Sequence, residues 1–473
     1  MNNRMLGGNA MRYIRNVDEL LDVYDKVTRE ARRIALELLD EGLSAADPRE
    51  AVRRKMKIED GELRVDGYRL KLGSFNRVYV VGAGKASGGM AQALEEILGD
   101  FIDCGYVIVP KPLVNRYKLK KIKLLGATHP IPSEENRRHS EEIISLVSSA
   151  DEGDLIICLI SGGGSALMCC PYDEVSMDDM MTLTKLLLGS GANINEVNVV
   201  RKHVEKLKGG KLAKLAYPAT VLSLIISDVV GDPLDTIASG PTAPDKSTFS
   251  DALNVLRKYG VADRAPKSIL NVLEKGLNGL IEETVKPGDK VFRRVYNVII
   301  ASNEISLNTM YSRALDLGLN AMVLTSYLEG EAKEVGIVLA SIARQIYYRD
   351  RPLAKPCAVL VGGETTVTLD VYGGSWGGRN QELACSAALY LNGMKGAVLA
   401  SIGSDGIDGN SDAAGAIVDA YTIREAEGRG LDIFDYLHRH DTYSFFKALG
   451  KHLIYTGPTG TNVNDLTVIV CLK

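Results

Sequence analysis

The sequence lacks the features that mark several large classes of protein. Its longest apolar runs, such as LIICLI at residues 155–160, are far shorter than the roughly 20 residues of a membrane-spanning helix. No block of Lys or Arg stands out, and the net charge is −4. We therefore expect neither a membrane nor a nucleic acid among the partners of this chain.

Cysteine and glutamine are sparse in informative ways. The seven cysteines are scattered, none forms a C-x-x-C pair, and the adjacent Cys169 and Cys170 are poorly placed for a bridge. With no secretory signal recognised, this pattern predicts free thiols in a reducing cytoplasm. Gln occurs only at positions 92, 345 and 381 among abundant Lys, Arg and Glu, a composition that favours a thermophilic source.

What is present is a repeated alternation of short apolar runs and helical segments. Strands are predicted at 77–82, 105–110, 122–127, 154–160 and 220–227. Short, continuously apolar strands are typical of a parallel sheet that is buried on both faces. The sequence therefore predicts an α/β fold that begins with a Rossmann-like, doubly wound parallel sheet domain over residues 12–245.

A second α/β series follows two charge-rich helical stretches, and we assign residues 246–290 to a helical connection. Further strands are predicted at 296–301, 321–326, 357–362, 366–371, 397–402 and 466–472. These form a smaller α/β domain with a mixed sheet over residues 291–473. We expect the active site in the cleft between the two domains.

The stretch RVYVVGAGKASGGM at 77–90 predicts a strand that turns into a helix through a glycine-rich loop containing Gly84. Its glycines do not have the dinucleotide-binding spacing, and the next strand ends at Lys111 without the acidic residue that holds a ribose. No Walker A sequence occurs. A helix N-terminus beside Lys85 favours an anion, although a solvated Lys after a structural turn remains an alternative.

A second glycine-rich loop, ISGGGSALMCCP at 160–171, follows the most apolar strand. Consecutive glycines let a ligand approach the backbone and expose several amide donors, and a purely structural turn is the weaker alternative. The loop is not the G-x-S-x-G elbow of serine hydrolases. The candidate binding residues here are Ser161, Gly162, Gly163, Gly164 and Ser165.

The segment NVVRKHVEKLKGGKLA at 198–213 is predicted to be helical, with Asn198, Arg201 and Lys208 on one stripe. Lys202 and Lys211 could equally form a solvated basic face. Asp228 follows a buried strand, which is where a metal ligand or a base lies in an open α/β sheet.

The second domain has its own polar candidates, which are Glu364, Arg379, Asn380 and Asp405. Arg379 opens a helix in GGRNQELA, where the helix dipole disfavours a cation, so we expect it to serve a bound anion. Together, amides in glycine loops, the cations Lys85 and Arg379, and carboxylates at strand ends suit phosphoryl transfer with Mg²⁺.

Nine ordered stretches resemble class II glycerate kinases, the glycerate 2-kinase family whose carboxy-terminal part is called MOFRL. These stretches are VGAGKAS, THPIPSEEN, ISGGGSAL, NVVRKHVEKLKGGKLA, SDVVGDPLDTIASGPTAPD, GGETTVT, GGRNQELA, SDGIDGNSDAAGA and TGPTGTNVNDL. The resemblance implies transfer of the γ-phosphoryl group of ATP to the 2-hydroxyl of D-glycerate, with Mg²⁺ or another divalent cation. It also implies that Lys85 and Arg379 are catalytic or substrate-binding residues.

Several alternatives stay open at this level. Asp228 or Asp405 would hold the metal or accept the hydroxyl proton, and the sequence does not rank them. The rival functions are an NAD(P)-dependent hydroxypyruvate reductase and a non-catalytic metabolite-binding protein. Both 2- and 3-phosphorylation are physically possible, and a homodimer is an alternative to a monomer.

Overall fold

The computed structural model describes residues 11–369 and 375–473, which form two compact units. Pro48–Ile300 makes one unit, and residues 11–47 join Ala301–Lys473 in the other. The first unit is therefore inserted into the second along the chain. The predicted ranges 12–245, 246–290 and 291–473 divide the chain differently, since they assign the amino-terminal residues to the first sheet.

The strands are numbered in chain order. They are β1 (Met56–Glu59), β2 (Glu62–Val65), β3 (Tyr68–Lys71), β4 (Val78–Ala83), β5 (Cys104–Pro110), β6 (Ile122–Ala127), β7 (Leu155–Ile160), β8 (Thr220–Ile226), β9 (Val295–Ala301), β10 (Asn320–Leu328), β11 (Cys357–Gly363), β12 (Ala397–Gly403), β13 (Gly415–Asp419), β14 (Leu453–Ile454) and β15 (Asp465–Cys471).

The α-helices are α1 (Val17–Leu20), α2 (Lys26–Ala46), α3 (Pro48–Lys55), α4 (Ser87–Leu98), α5 (Glu134–Ser148), α6 (Gly164–Leu167), α7 (Met177–Gly189), α8 (Ile194–Val204), α9 (Lys211–Ala216), α10 (Phe249–Lys258), α11 (Lys267–Leu277), α12 (Asn303–Asp316), α13 (Ala332–Arg349), α14 (Arg379–Leu391), α15 (Thr422–Gly428), α16 (Ile433–His438) and α17 (Thr442–Leu449). Within the described ranges, no helix has the length and apolar character needed to cross a membrane.

The inserted unit is built on a doubly wound sheet with the strand order β6-β5-β4-β7-β8-β9. The pairs β6–β5, β5–β4, β4–β7 and β7–β8 are parallel. The central strands β4 and β7 are buried along their whole length, as their apolar sequences require. The chain winds outward from β4 in one direction and from β7 in the other, so their carboxyl ends form the switch point where ligands bind in such sheets. The predicted fold class is confirmed.

The second unit contains the predicted mixed sheet, with the order β10-β11-β15-β12-β13-β14. β10 and β11 are parallel, and the other neighbouring strands are antiparallel. The amino-terminal helix α2 shares a hydrophobic core with β15. A Cβ on Gly42 of α2 would lie 2.9 Å from the Leu466 side chain and 2.8 Å from Met310 Sδ, so glycine allows this close packing.

A small sheet of β1, β2 and β3 was not predicted, although the sequence contains its signal. Two Asp-Gly pairs connect the three antiparallel strands. Asp60, Gly61, Asp66 and Gly67 all have positive φ, between 45° and 90°. Asp-Gly with positive φ at both residues is the turn that matches the twist of a two-residue hairpin.

Three predicted elements are wrong. The strand predicted at 296–301 was placed in the second sheet, but β9 is an edge of the first sheet. Residues 366–369 form no strand beyond a single bridge at Thr366, and 370–371 lie outside the described residues. The helix predicted over 198–213 is interrupted after Val204, because Glu205 is extended and bridges to Pro171.

Arg32 of α2 is buried in an ion pair that anchors this helix. Its Nε lies 2.6 Å from Asp419 Oδ2, and the two side chains are 2% and 0% exposed. Its Nη1 donates to the carbonyl oxygens of Leu20 and Lys451 at 2.9 and 2.7 Å. The neighbouring Arg33 instead pairs with the more exposed Glu30 and Glu37.

Replacing Arg32 with Ala should lower the free energy of unfolding by about 3–5 kcal/mol, because the Asp419 charge would stay buried without its partner. The matched control Arg33→Ala should cost at most about 1 kcal/mol, since its ion pairs are near solvent. Denaturant unfolding followed by far-UV circular dichroism measures both changes. Equal losses in the two variants would contradict this account of α2.

Candidate active site

The turn after β4 carries Gly84 and Lys85 and leads into α4. Gly84 has a φ of 150°, and a Cβ here would overlap the hydroxyl of Ser161. The amide of Lys85 donates to the carbonyl oxygen of Gly162 at 2.9 Å. Glycine at 84 is therefore required by the close approach of the turns that follow β4 and β7.

Ser161 joins these two turns through its side chain. Its Oγ accepts a hydrogen bond from the amide of Ala86 at 3.1 Å and lies 3.0 Å from the Ser87 hydroxyl. The residue is 1% exposed. Because this hydroxyl is hydrogen-bonded to Ala86 and Ser87, we interpret Ser161 as a structural residue and not as the ligand contact that we expected.

The glycines after Ser161 have two different roles. Gly162 and Gly163 donate no backbone hydrogen bond to any described residue, so their amides remain available to a ligand. Gly163 has a φ of 81°, which favours glycine. Gly164 serves close packing, since a Cβ there would lie 2.8 Å from Ala238 Cβ.

Four residues, Lys85, His129, Gly163 and Asp228, meet at the carboxyl edge of the sheet, and we call them the Lys85 cluster. A Cβ on Gly163 would lie 2.8 Å from His129 Nε2 and 3.4 Å from Lys85 Cγ. A Cβ on the preceding Gly162 would overlap the carboxylate of Asp228. Strands β4, β7 and β8 thus bring Lys85 and Asp228 to the same glycine turn.

The Lys85 cluster offers an anion a cation and glycine amides, and it also contains the carboxylate of Asp228. Burial, followed by the positive charge of Lys85, lowers the pKa of His129, so the imidazole is neutral at pH 7. Across the ranges that the structure describes, the Lys85 ammonium makes no ion pair. The cluster therefore combines a partly buried cation with available backbone amides.

Ser165 and Asn198 are joined through Ser239. The Oγ atoms of Ser165 and Ser239 are 2.9 Å apart, and Ser239 donates to Asn198 Oδ1 at 3.2 Å. Ala238, Ser239 and Gly240 all have positive φ, between 49° and 61°. This unfavourable backbone is fixed by its contacts, as is common beside functional sites.

The predicted basic stripe is not formed as one helical face. Lys208 follows the end of α8, is fully buried, and pairs with the buried carboxylate of Glu205. We therefore remove Lys208 from the expected ligand contacts. Arg201 remains on α8, and its Nε is buried without a hydrogen-bond partner among the described residues.

Lys211 lies in the same buried group. Its Nζ donates to the carbonyl oxygens of Glu205 and Lys202 at 2.7 and 2.9 Å and to the Tyr172 hydroxyl at 3.1 Å. Burial lowers its pKa to about 7, although the Glu205 carboxylate favours the charged form. Lys211 is thus a core residue and not part of a solvated basic face.

The free energy of unfolding should include a contribution from Lys211 that increases with pH between about 7 and 10.5. In this range Lys211 is protonated in the unfolded chain, whereas the buried Lys211 of the folded protein has lost its proton. Lys211→Met should lose this contribution, which is at most about 1.4 kcal/mol per pH unit for one proton. Lys214→Met, which changes a more exposed lysine of α9, is the control and should keep it. Denaturant unfolding at several pH values measures the slopes, and identical slopes for wild type and Lys211→Met would contradict the prediction.

The second unit holds a polar group around the start of α14. We call Glu364, Arg379, Asn380, Asp408 and Asp465 the Arg379 cluster. Arg379 donates from Nε and Nη2 to the two oxygens of Asp465 at 2.7 and 3.0 Å. Its Nη1 lies 2.9 Å from Glu364 Oε1. The protein's own carboxylates therefore balance part of the Arg379 charge, and its service to a bound anion stays a prediction.

Asp408 caps the same helix. Its carboxylate accepts hydrogen bonds from the amides of Asn380 and Gln381 at 3.1 and 2.8 Å, which satisfies donors at the N-terminus of α14. Burial raises its pKa to about 6 despite these bonds. Burial likewise raises the pKa of Asp465, against the effect of Arg379. Burial disfavours the charged form of Arg379. The carboxylates of Asp465 and Glu364 favour that form more strongly, so the pKa of Arg379 is raised.

Asp405 makes no ion pair with a described residue, although a Cβ on Gly403 would lie 3.3 Å from its Oδ1 and 3.6 Å from Asn380 Nδ2. Its Oδ1 accepts a hydrogen bond from the amide of Ile407 at 3.1 Å, within its own loop. In the described part of the chain, no three or more His, Cys, Asp or Glu residues group together as a metal site. Asp228 and Asp405 as metal ligands therefore stay predictions.

Sequence reasoning missed three residues that the structure brings into these clusters. His129 lies in the THPIPSEEN stretch, Asp408 in SDGIDG and Asp465 in TGPTGTNVNDL. All three stretches belong to the nine that resemble the glycerate 2-kinase family, so the sequence already marked these regions as candidates. Which polar residue in each stretch reaches the site depends on strand pairing distant in sequence, which no local pattern reveals.

The fold and these clusters define an α/β protein with glycine-rich turns at a sheet switch point and a carboxy-terminal MOFRL unit. The MOFRL family matches residues 357–465, and the family described as Domain of unknown function (DUF4147) matches residues 34–274. A Pyrococcus horikoshii protein named glycerate 2-kinase is 42% identical over 94% of this chain and 98% of its own length. The chain belongs to the glycerate 2-kinase family.

Structural similarity agrees with this assignment. A crystal structure titled glycerate kinase from Thermotoga maritima is 38% identical, with a TM-score of 0.82 over 93% of this chain and 99% of that one. A relative from Agrobacterium vitis, 38% identical over 93% of this chain and 94% of its own length, is provisionally named a hydroxypyruvate reductase. That name belongs to the rival function considered from the sequence.

Proposed function

We propose that this protein is a glycerate 2-kinase that transfers the γ-phosphoryl group of ATP to the 2-hydroxyl of D-glycerate. The observation that carries the proposal is the Lys85 cluster, a cation and available amides at the switch point of a doubly wound sheet. In the reaction, the hydroxyl oxygen bonds to the γ-phosphorus as the bond to the bridging oxygen breaks. The products are 2-phosphoglycerate, ADP and a proton.

Lys85 acts on the transferred group in this proposal. Phosphoryl transfer is catalysed mainly by positioning and by neutralising charge on the phosphoryl oxygens. Because the Lys85 ammonium has no ion pair among the described residues, its charge is available for that purpose. The neutral His129 imidazole beside it does not add a competing cation at pH 7.

The residues around Lys85 also fit the phosphates of ATP. The amides of Gly162 and Gly163 lack an acceptor among the described residues, and glycine permits close approach of a phosphate oxygen. Gly84, Ser165, Asn198 and Arg201 complete the proposed binding set on this unit. The buried Nε of Arg201, which has no partner among the described residues, would gain an acceptor from a bound anion.

A divalent cation fits the same donor chemistry. Mg²⁺ in kinase sites is held by one or two carboxylates together with substrate phosphates, so a closed protein cage is not needed. Asp228, beside Gly162, is the proposed ligand, with Asp405 as the alternative. When bound, Mg²⁺ would offset charge on the phosphate oxygens. The same two carboxylates are the candidates for accepting the hydroxyl proton.

Arg379 is the proposed partner of the glycerate carboxylate. A guanidinium has five N–H donors, and Arg379 uses three nitrogens on Asp465 and Glu364. One N–H remains on each Nη atom, which suits a further carboxylate. Glu364 and Asn380 hold Arg379 and Asp465 in place in this proposal.

The reductase alternative is less well supported. The residue that would hold a ribose at the end of β5 is replaced by Lys111, whose ammonium pairs with Glu135 at 2.6 Å.

A cytoplasmic location is part of the proposal, and it rests on seven cysteines that all carry free thiols.

Incubation with D-glycerate, ATP and Mg²⁺ should yield 2-phosphoglycerate, identified by ³¹P NMR. A 3-phosphoglycerate signal would overturn the regiochemistry while leaving a kinase. Absence of any phosphorylated product, together with oxidation of NADH or NADPH by hydroxypyruvate, would overturn the kinase and favour the reductase.

Lys85→Met should lower kcat at least about a hundredfold, because a charge that stabilises the transition state is lost. The control Lys123→Met removes an exposed lysine of β6 in the same unit and should keep normal turnover. A coupled assay of ADP formation measures both. Near-normal kcat in Lys85→Met would remove Lys85 from the mechanism.

A further inference from the structure

Helix α13 carries a groove on its exposed side. The carboxyl-terminal half of this helix packs Ala340, Ala343 and Ile346 into the hydrophobic core of the second unit. Neighbouring exposed residues are three or four positions apart and therefore lie side by side. They line a groove of about 310 Å³, and they are Ser341, Arg344, Gln345, Tyr348 and Arg349. This volume is at the lower end of the range for small-molecule sites.

The two guanidinium groups of the groove have no counterion in the described part of the chain. Neither Arg344 nor Arg349 makes an ion pair there. The carboxylate within α13 is that of Glu334, near the start of the helix. Asp350, which follows the helix, lies 3.5 Å from Lys355 Nζ and accepts a hydrogen bond from the Lys355 amide at 3.3 Å. The positive charge of the groove is therefore not balanced locally.

The helix dipole accounts for one of these two arginines. Arg349 is the last residue of α13, where the negative end of the dipole favours a cation. Arg344 lies more than one turn earlier, beyond the reach of this effect. Two guanidinium charges also exceed the roughly half charge at the carboxyl end of a helix. The net potential in the groove is therefore positive and favours an anion.

The other lining groups narrow the chemistry of that anion. The amide of Gln345 can donate a hydrogen bond, whereas the Ser341 hydroxyl already donates to the carbonyl oxygen of Ile337 at 3.0 Å. The Tyr348 ring, which is 62% exposed, offers apolar surface to carbon atoms. A phosphate dianion matches two guanidinium groups in charge, and its terminal oxygens accept from their N–H groups. The groove thus suits a phosphate group that carries a small organic part.

The groove is separate from the Arg379 cluster of the same unit. β10 and β11 are parallel, and α13 connects them. The helix therefore runs from the carboxyl end of β10 back to the amino end of β11, and its last turns lie at that edge of the sheet. Glu364 follows the opposite, carboxyl end of β11 and pairs there with Arg379.

We propose that this groove is an additional anion site, which binds a small phosphomonoester through Arg344, Gln345 and Arg349. None of these residues belongs to the candidate active site, and the proposal does not depend on the reaction that the protein catalyses. The ester could be the reaction product or another phosphorylated metabolite, since both carry the same dianionic group. Separate probes distinguish these sources.

Isothermal titration calorimetry with glycerol 2-phosphate tests the proposal. The double variant Arg344→Ala/Arg349→Ala should bind one equivalent fewer than the wild type, or bind that equivalent at least about tenfold more weakly, because charge-assisted hydrogen bonds are lost. The control Arg264→Ala/Arg424→Ala removes two exposed arginines of other elements and should bind as the wild type does. Both double variants should keep kcat and KM, and circular dichroism checks their folding.

A second pair of variants separates a specific site from diffuse attraction. Arg344→Lys/Arg349→Lys keeps the charge but loses the planar fork of donors, so the dissociation constant should still rise several-fold. Wild-type affinity in this lysine variant would overturn the proposal, and so would equal losses in the Ala variant and its control.

Two further probes identify the source of the phosphate group. Tighter binding of 2-phosphoglycerate than of glycerol 2-phosphate at this site would assign it to the reaction product, and the reverse order would assign it to another ester. Binding of inorganic phosphate without either ester would overturn the assignment to a phosphomonoester.

Discussion

The hydroxyl of Ser161 occupies the space that Gly84 leaves by having no side chain. At that point the turns after the two central strands of the inserted unit touch, and they exchange hydrogen bonds through Ala86, Ser87 and the amide of Lys85. The contact fixes how far Lys85 lies from the amides of Gly162 and Gly163. The geometry of the Lys85 cluster therefore follows from one buried serine and one absent Cβ.

Much of the fold follows from short-range sequence features. The strands around 78–83 and 155–160 were predicted because short, continuously apolar runs are typical of strands that are buried on both faces of a parallel sheet. The two-residue Asp-Gly turns of the small sheet carried an equally clear signal. By contrast, the helix over 198–213 failed because the extended backbone of Glu205 is imposed by a bridge to Pro171, a tertiary contact that helical periodicity does not contain.

The sequence predicted where the candidate site lies, but it did not predict which side chains pair with one another there. Lys85 and Asp228 were found because both follow strands in a parallel sheet, whose carboxyl ends share one edge. The ion pair between Arg379 and Asp465 could not be foreseen, since the two are 86 residues apart and meet only because β15 inserts between β11 and β12. Lys208 looked like a binding residue because a sequence shows a charge but not the buried carboxylate opposite it.

The two clusters hold their cations in different physical states. Arg379 is fixed by a bidentate contact and a second carboxylate, so its remaining donors point in directions set before any ligand arrives. Lys85 has a flexible stem and, among the described residues, no counterion, so no ion pair fixes the position of its charge.

The insertion of Pro48–Ile300 between two parts of the other unit sets an order for folding during synthesis. Helix α2 leaves the ribosome early, but its core partners on β15 are among the last residues made. The inserted unit has all of its strands before then and can fold first. The apolar face of α2 must wait through most of translation, so the first long helix to be synthesised is among the last elements to gain its packing.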